Sequence, residues 1–168
     1  ITPSPYASPS ALAICPDQRH ALVALASANA LAVVDLETGK VIQEIPVGEQ
    51  PNGVAVSHDG TMAAVSSRLE GSVYLLGSNR GATTINRWSN KVKIPCGHLP
   101  ADLIFSPNGD RLYVACSGSH EVVVVDTANP TSPRVAQRWK AWQEPRRLRL
   151  APDGANLFVG CSRSATVR

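Results

Sequence analysis

The chain has 168 residues, 43% hydrophobic and 17% charged, with 12 Gly and 13 Pro. That balance excludes a disordered chain, a coiled coil and a collagen-like repeat, and it leaves a globular protein rich in turns. Sixteen Lys and Arg against 13 Asp and Glu give a net charge of +3, too small a bias to point to nucleic acid or an anionic membrane.

Residues 1–8 have neither the basic nor the apolar region of a signal peptide and read as a linker or trimmed terminus. Ile at position 1 suggests that the natural chain begins earlier. From Pro9 onward the sequence repeats. A turn centred on Asp or Asn recurs as Pro16-Asp17-Gln18, His58-Asp59-Gly60, Pro107-Asn108-Gly109 and Pro152-Asp153-Gly154, at spacings of 42, 49 and 45 residues. Eight residues before each centre stands a proline: Pro9, Pro51, Pro100 and Pro145. Apolar residues fill matching alternate offsets. Leu12, Val54, Leu103 and Leu148 lie five before the centre, Val23, Val65, Val114 and Val159 six after it, and Leu31, Val73, Val122 and Val167 fourteen after it. Alternation bounded by Asp-Gly and Asn-Gly turns predicts antiparallel strands joined by tight hairpins.

The first unit, 9–50, contains the longest uncharged stretch, Ala21 to Val34. Its 14 residues fall short of the about 20 apolar residues of a spanning helix. Its alanines favour a helix by propensity, but its register matches strands B and C of the sister units, and the repeat decides for strands. The second unit, 51–99, predicts strand A at 53–57, B at 62–66, C at 72–76 and D within 84–94. The third, 100–144, carries a stiff C–D turn at Asn129-Pro130-Thr131-Ser132-Pro133. The fourth, 145–168, stops one residue past Val167, in mid-strand C.

Units of four short strands repeating every 40–50 residues are the blades of a β-propeller. A sandwich needs no equivalent turns at a fixed period, and solenoid coils are shorter. The expected fold is therefore all-β, with about three and a half blades of four antiparallel strands: a fragment of a larger ring.

At Pro51-Asn52-Gly53-Val54-Ala55-Val56-Ser57-His58-Asp59-Gly60, Leu112-Tyr113-Val114-Ala115-Cys116, Val122 to Asp126 and Ile45-Pro46-Val47-Gly48 the chain resembles the YVTN family of propeller repeats. The resemblance spans residues 9 to 168 and implies a β-propeller whose full ring is seven-bladed. It implies an extracytoplasmic bacterial or archaeal protein, on the cell surface or in the periplasm, and is unspecific for activity. Cytoplasmic WD40 repeats are the rival, but only Gly97-His98 resembles their Gly-His and no Trp-Asp ends a strand C.

In such a fold the D–A and B–C connections share the face that commonly carries ligand sites. Arg68, Glu70, His98, Asp102, His120 and Arg146 fall there, together with Arg163. Their convergence would suit an anionic group of a small ligand or protein partner, a metal or a haem propionate, because paired imidazoles coordinate metal and Arg forks hold carboxylates. A solvated rim of polar loop residues is the blander alternative and the one preferred. His20 and His58, beside A–B turns, are expected to be exposed on the opposite face. The basic run Arg134, Arg138, Lys140, Arg146, Arg147 and Arg149 reads as a solvated face. Trp88, Trp139 and Trp142 lie in or near strands D, where Trp139 takes the position of Ile45 and Ile94 and is expected to pack between blades.

Cys15, Cys96, Cys116 and Cys161 are too widely spaced for a CxxC metal or redox site or a CxxCH haem attachment. They read as buried free thiols, with Cys116 and Cys161 at equivalent strand ends rather than paired. No metal site and no motif for a catalytic mechanism stands out, and no cofactor is expected within this chain. The leading expectation is a non-catalytic binding module whose other partners are the remaining blades of the same protein. The resemblance also implies two alternatives. One is the propeller part of a periplasmic redox protein, cytochrome d1-like or fused to cytochrome c, with haem in the full-length protein. The other is a lactonase-like hydrolase.

Overall fold

A computed structural model describes residues 7–79 and 87–162. The start of the linker, Thr84 to Asn86 of the expected second strand D, Arg163 and Val167 lie outside the described residues.

The described residues form strands and turns without helix. The first sheet is β1 (Pro9–Ile14), β2 (His20–Leu25), β3 (Ala30–Asp35) and β4 (Lys40–Pro46). The second is β5 (Pro51–Val56), β6 (Met62–Ser67), β7 (Ser72–Asn79) and β8 (Arg87–Pro95), and the third is β9 (Pro100–Phe105), β10 (Arg111–Cys116), β11 (Glu121–Asp126) and β12 (Arg134–Lys140). β13 (Pro145–Leu150) and β14 (Leu157–Cys161) make a two-stranded sheet. In every sheet, strands adjacent in sequence are adjacent in space and antiparallel. The alanine-rich stretch is β2 and β3, so tertiary register overrides its helical propensity.

The alignment by repeat survives at residue level. Leu12 faces Val23, Val54 faces Val65, Leu103 faces Val114 and Leu148 faces Val159 across the four A–B ladders. Each A–B ladder also shifts register next to the strand-A proline, a bulge that bends the strand. The hairpin turns close alike: the amides of Gln18, Gly60, Gly109 and Gly154 donate to the carbonyls of Cys15, Ser57, Ser106 and Ala151 at 2.8–3.0 Å. All four donors have positive φ, at 57°, 69°, 75° and 70°. Asp17, Asp59 and Asp153 each accept the amide two residues on at 2.9–3.0 Å, the Asx geometry that favours these residues in turns.

The cores lie between blades, not within them. Val54, Ala63, Val65 and Trp88 of the second blade pack on Leu22, Leu31, Val33 and Ile45 of the first. Leu103, Phe105, Leu112 and Val114 of the third pack on Val73, Leu75 and Ile94 of the second, and Leu148 packs on Tyr113 and Val122. Leu12 and Ile14, equivalent to Val54 and Val56, have no earlier blade among the described residues and are 65% and 54% exposed. Phe158, equivalent to the buried Leu22, is exposed at the other end. The inner strands β1, β5, β9 and β13 lie side by side. Bonds from Ser10 Oγ to the Pro51 carbonyl (2.7 Å) and from Asn52 Nδ2 to the Ala101 carbonyl (3.2 Å) stitch neighbouring pairs together.

His20 departs from expectation. It is buried, with Nδ1 2.7 Å from Asp17 Oδ2, because strand B begins at this residue and its ring folds back over the turn carboxylate. Burial opposes ionisation of Asp17, yet the His20 contact and the amides of Arg19 and His20 still pull its carboxyl below the ordinary value. His58 is exposed.

Candidate functional site

The face formed by the B–C turns and D–A connections is built on left-handed backbone. Asn29, Gly71 and His120 occupy one equivalent position in the B–C turns, at φ 52°, 61° and 54°. Gln50, Leu99 and Glu144, each directly before a strand-A proline, have φ 55°, 51° and 54°. This conformation costs an L-residue roughly 1–2 kcal/mol, so other contacts must hold it. The Gln50 amide donates to Asn29 Oδ1 at 3.0 Å, and the Glu144 amide donates to His120 Nδ1 at 3.1 Å. Asn29 and His120 thus do the same work at the first and third joints.

The candidate residues do not gather at one point. Glu70 is a strut: it accepts from Lys93 Nζ and Tyr74 Oη, both at 2.7 Å, and from the Glu49 amide at 3.2 Å. Donation by Lys93, then by Tyr74, holds its carboxyl below the usual range, while Lys93 is pushed up by the same bond and Tyr74 by burial and by Glu70. Asp102 ties β9 to β13, accepting the Leu148 amide at 2.9 Å, with Arg149 at 3.6 Å. His120, Glu144, Arg146 and Ser162 form one chain: Arg146 reaches Glu144 Oε2 at 3.0 Å and Ser162 Oγ at 3.1 Å, and Ser162 donates to Glu144 at 2.7 Å.

Two candidates remain open. Arg68 is half-buried, its amide donates to the Gln50 carbonyl at 3.1 Å, and its guanidinium has no hydrogen bond or ion pair among the described residues. His98 is exposed; its amide donates to Ser119 Oγ at 3.2 Å and its carbonyl accepts from Gly118 at 2.9 Å, which fixes the backbone, and its ring lies over Gly118. Among the described residues, no group of three His, Cys, Asp or Glu converges on a metal-sized space. No described helix is long and apolar enough to cross a membrane.

Sequence reasoning missed the roles of Glu144 and Ser162; it placed Glu121 beside His120 on this face but not its ion pair of 2.7 Å with Arg138. Glu144 carried one readable signal, its place directly before Pro145. It also missed that Cys96 and Cys116 share the core between the second and third blades. Cys116 and Cys161 do sit equivalently, opposite Pro100 and Pro145. Trp139 lies opposite Val122 and against Tyr113, with ring centroids 5.8 Å apart, on the side of β13 and β14. It is 40% exposed there. Trp88 is buried between the first two blades, its backbone bonded both ways to the Gln43 amide at 3.0 and 3.1 Å.

No protein-family model matches the sequence, and no curated protein does. Solved structures do match. Hydrazine synthase of Kuenenia stuttgartiensis superposes with a TM-score of 0.80 at 25% identity, over 98% of this chain and 46% of that one. The periplasmic gluconolactonase PpgL of Pseudomonas aeruginosa gives 0.78 at 18%, over 96% and 49%. The Cps50 (Swd1) β-propeller domain of Myceliophteria thermophila gives 0.79 at 12%, over 96% and 52%. The chain spans about half the length of the structures it matches. Likeness to proteins so different in sequence, together with four-stranded antiparallel sheets and cores set between them, makes this chain part of a β-propeller.

Proposed function

We propose that this part of the propeller is a binding module that takes a small anionic ligand, or an acidic group of a partner protein, on the face of its D–A and B–C connections. The observation that carries this reading is the uneven commitment of charge there. The carboxylates of Glu70, Glu121, Glu144 and Asp102 are held by protein donors, while the Arg68 guanidinium has none among the described residues. An unpaired guanidinium favours an incoming carboxylate or phosphate, which it can hold through two parallel bonds. Further blades of the same protein are the natural cover for Leu12, Ile14 and Phe158. The repeats are taken as YVTN type, and the location as extracytoplasmic, on the strength of the stretch from Pro51 to Gly60.

The test is calorimetry with small carboxylate and phosphate probes. Arg68→Ala and His98→Ala should each weaken binding about tenfold with Tm nearly unchanged. Equal binding by both variants would overturn the proposal.

A second reading has its own support, the likeness to a protein named a periplasmic gluconolactonase. Here the same guanidinium would hold the carboxylate of an opened lactone, and acid release from a sugar lactone in a pH-stat decides for or against it. For the redox alternative this face offers two exposed imidazoles among the described residues, His98 and His120, the second with Nδ1 accepting the Glu144 amide. Absorbance of the purified protein in the haem region decides that alternative.

A further inference from the structure

We propose that Gly118 is a positioning residue for the anion-binding face: it seats the His98 imidazole, and it is glycine because the ring lies where its side chain would stand. A Cβ on Gly118 would overlap His98 Nδ1, and it would stand 3.1 Å from both His98 Cγ and the His98 carbonyl oxygen. Backbone conformation does not call for glycine here, since Gly118 is not among the glycines of positive φ. Space does. The equivalent position holds Ser27 in the first unit and Leu69 in the second, so the turn itself accepts a side chain.

Two neighbouring joints show what the missing side chain does. In both, the residue after strand B donates to the residue before the strand-A proline, Arg68 to the Gln50 carbonyl at 3.1 Å and Ser117 to the Leu99 carbonyl at 3.0 Å. One residue further on, the Leu69 amide lies 3.4 Å from the Glu49 carbonyl, but the Gly118 amide lies 2.9 Å from that of His98. The glycine joint is the tighter one. Ser117 Oγ also donates to the Leu99 carbonyl at 2.9 Å, and the His98 amide donates to Ser119 Oγ at 3.2 Å. These bonds pin the backbone of His98 and Leu99 to residues 117–119, so a Cβ at 118 can be relieved only by moving the ring. A ring already seated has less freedom to lose when an anion arrives, which favours binding. Nε2 is the ring vertex opposite the Nδ1–Cγ edge that meets Gly118, and it is the nitrogen assigned to the anion. The positioning role rests on the anion-binding reading; the seat itself does not.

The test uses the whole chain and two readouts. Nuclear magnetic resonance of the His98 ring protons, identified by their loss in His98→Ala, reads the seat. Cross-relaxation with the Gly118 Hα protons is expected in the native protein, and Gly118→Ala should shift the ring signals while Tm moves by less than about 3 °C. Calorimetry with inorganic phosphate reads the role: Gly118→Ala should weaken binding about tenfold, as His98→Ala does, and the double variant should bind no more weakly than His98→Ala alone. Leu69→Ala, at the equivalent position of the second unit, should leave phosphate affinity unchanged. Absence of the native cross-relaxation, or ring signals unmoved in Gly118→Ala, would overturn the seat. A moved ring with phosphate affinity kept in Gly118→Ala but lost in His98→Ala would overturn the positioning role, and a fall in Tm above about 10 °C would make Gly118 a residue of the fold instead. Native protein that shows the ring contact but binds no phosphate would refute the anion-binding reading, and the role with it, while the seat stands.

Discussion

The two edges of this propeller segment are made from the same repeats but in opposite ways. At the A–B edge all four hairpins repeat one turn, one donor position and one backbone sign, with Gln18, Gly60, Gly109 and Gly154 interchangeable in φ. At the other edge the backbone repeats, since Asn29, Gly71 and His120 share a conformation, while the side chains differ: Asn29 and His120 accept an amide at the first and third joints, and Gly71 has no side chain to do so at the second. Repetition at one edge builds the sheets; variation at the other places uncommitted groups such as Arg68 and His98. Chemistry can vary there because strand register is already fixed by the turns and by the cores between blades.

The largest break should come where two inner strands nearly touch. A Cβ at Gly53 would stand 2.6 Å from the Ala101 carbonyl oxygen, a backbone atom that cannot turn aside. Gly53→Val is expected to cost about 3 kcal/mol, read as a fall in urea midpoint. A loss under about 1 kcal/mol would mean that β5 and β9 can slide apart, and that the joint between blades is looser than either edge.

The A–B turns give a matched pair of opposite sign. Gly109 has space around it, with Met62 Cε at 3.4 Å, so Gly109→Val tests backbone strain at φ 75° more than crowding. It should cost about 2 kcal/mol. Gln18 sits in the same conformation without glycine's freedom, and Gln18→Gly should stabilise by up to about 1 kcal/mol. If both changes are neutral, the four turns are not equivalent and the comparison fails at its first term.

The fold was legible because its signals are local and repeated: the proline, the Asx turn and the alternation each return at the same offset, and all four A–B pairs form in the expected register. The site was less legible because its contacts cross blades. Nothing near Asp102 in sequence announces that its partner is the Leu148 amide, and nothing about His20 announces that its ring turns inward to Asp17. Glu70 looks like a ligand group in sequence, but Lys93, 23 residues on, already holds it. Spacing kept Cys96 and Cys116 apart, because it ignores the return of the chain from strand D to strand A.

His120 and His98 sharpen the difference between wiring and open groups. His120→Ala removes the acceptor for the Glu144 amide and strains a left-handed residue, and should cost about 1 kcal/mol. His120→Asn should restore most of it, since Asn29 does this work at the first joint. His98→Ala should move stability by less than about 0.5 kcal/mol. A failed rescue by Asn would show that the two joints only look alike.

The smallest expected effect is that of the Glu70 strut, and pH exposes it. The folded carboxyl lies below its unfolded value of about 4.3, so its stabilisation is present above that pH and is lost as pH falls through the lower folded value. Lys93 is raised when folded, so its share is present below about pH 10.4 and is lost as pH rises through the higher folded value. The pair therefore acts at full strength between about pH 5 and 10. It is half open to water, with Lys93 49% exposed, and a screened pair of this kind is weak. Glu70→Gln should lower Tm by roughly 1–2 °C at pH 7, with the difference shrinking below about pH 4 as the native carboxyl protonates. A difference that stays constant down to pH 3 would assign the loss to the Tyr74 and Glu49 hydrogen bonds and not to charge.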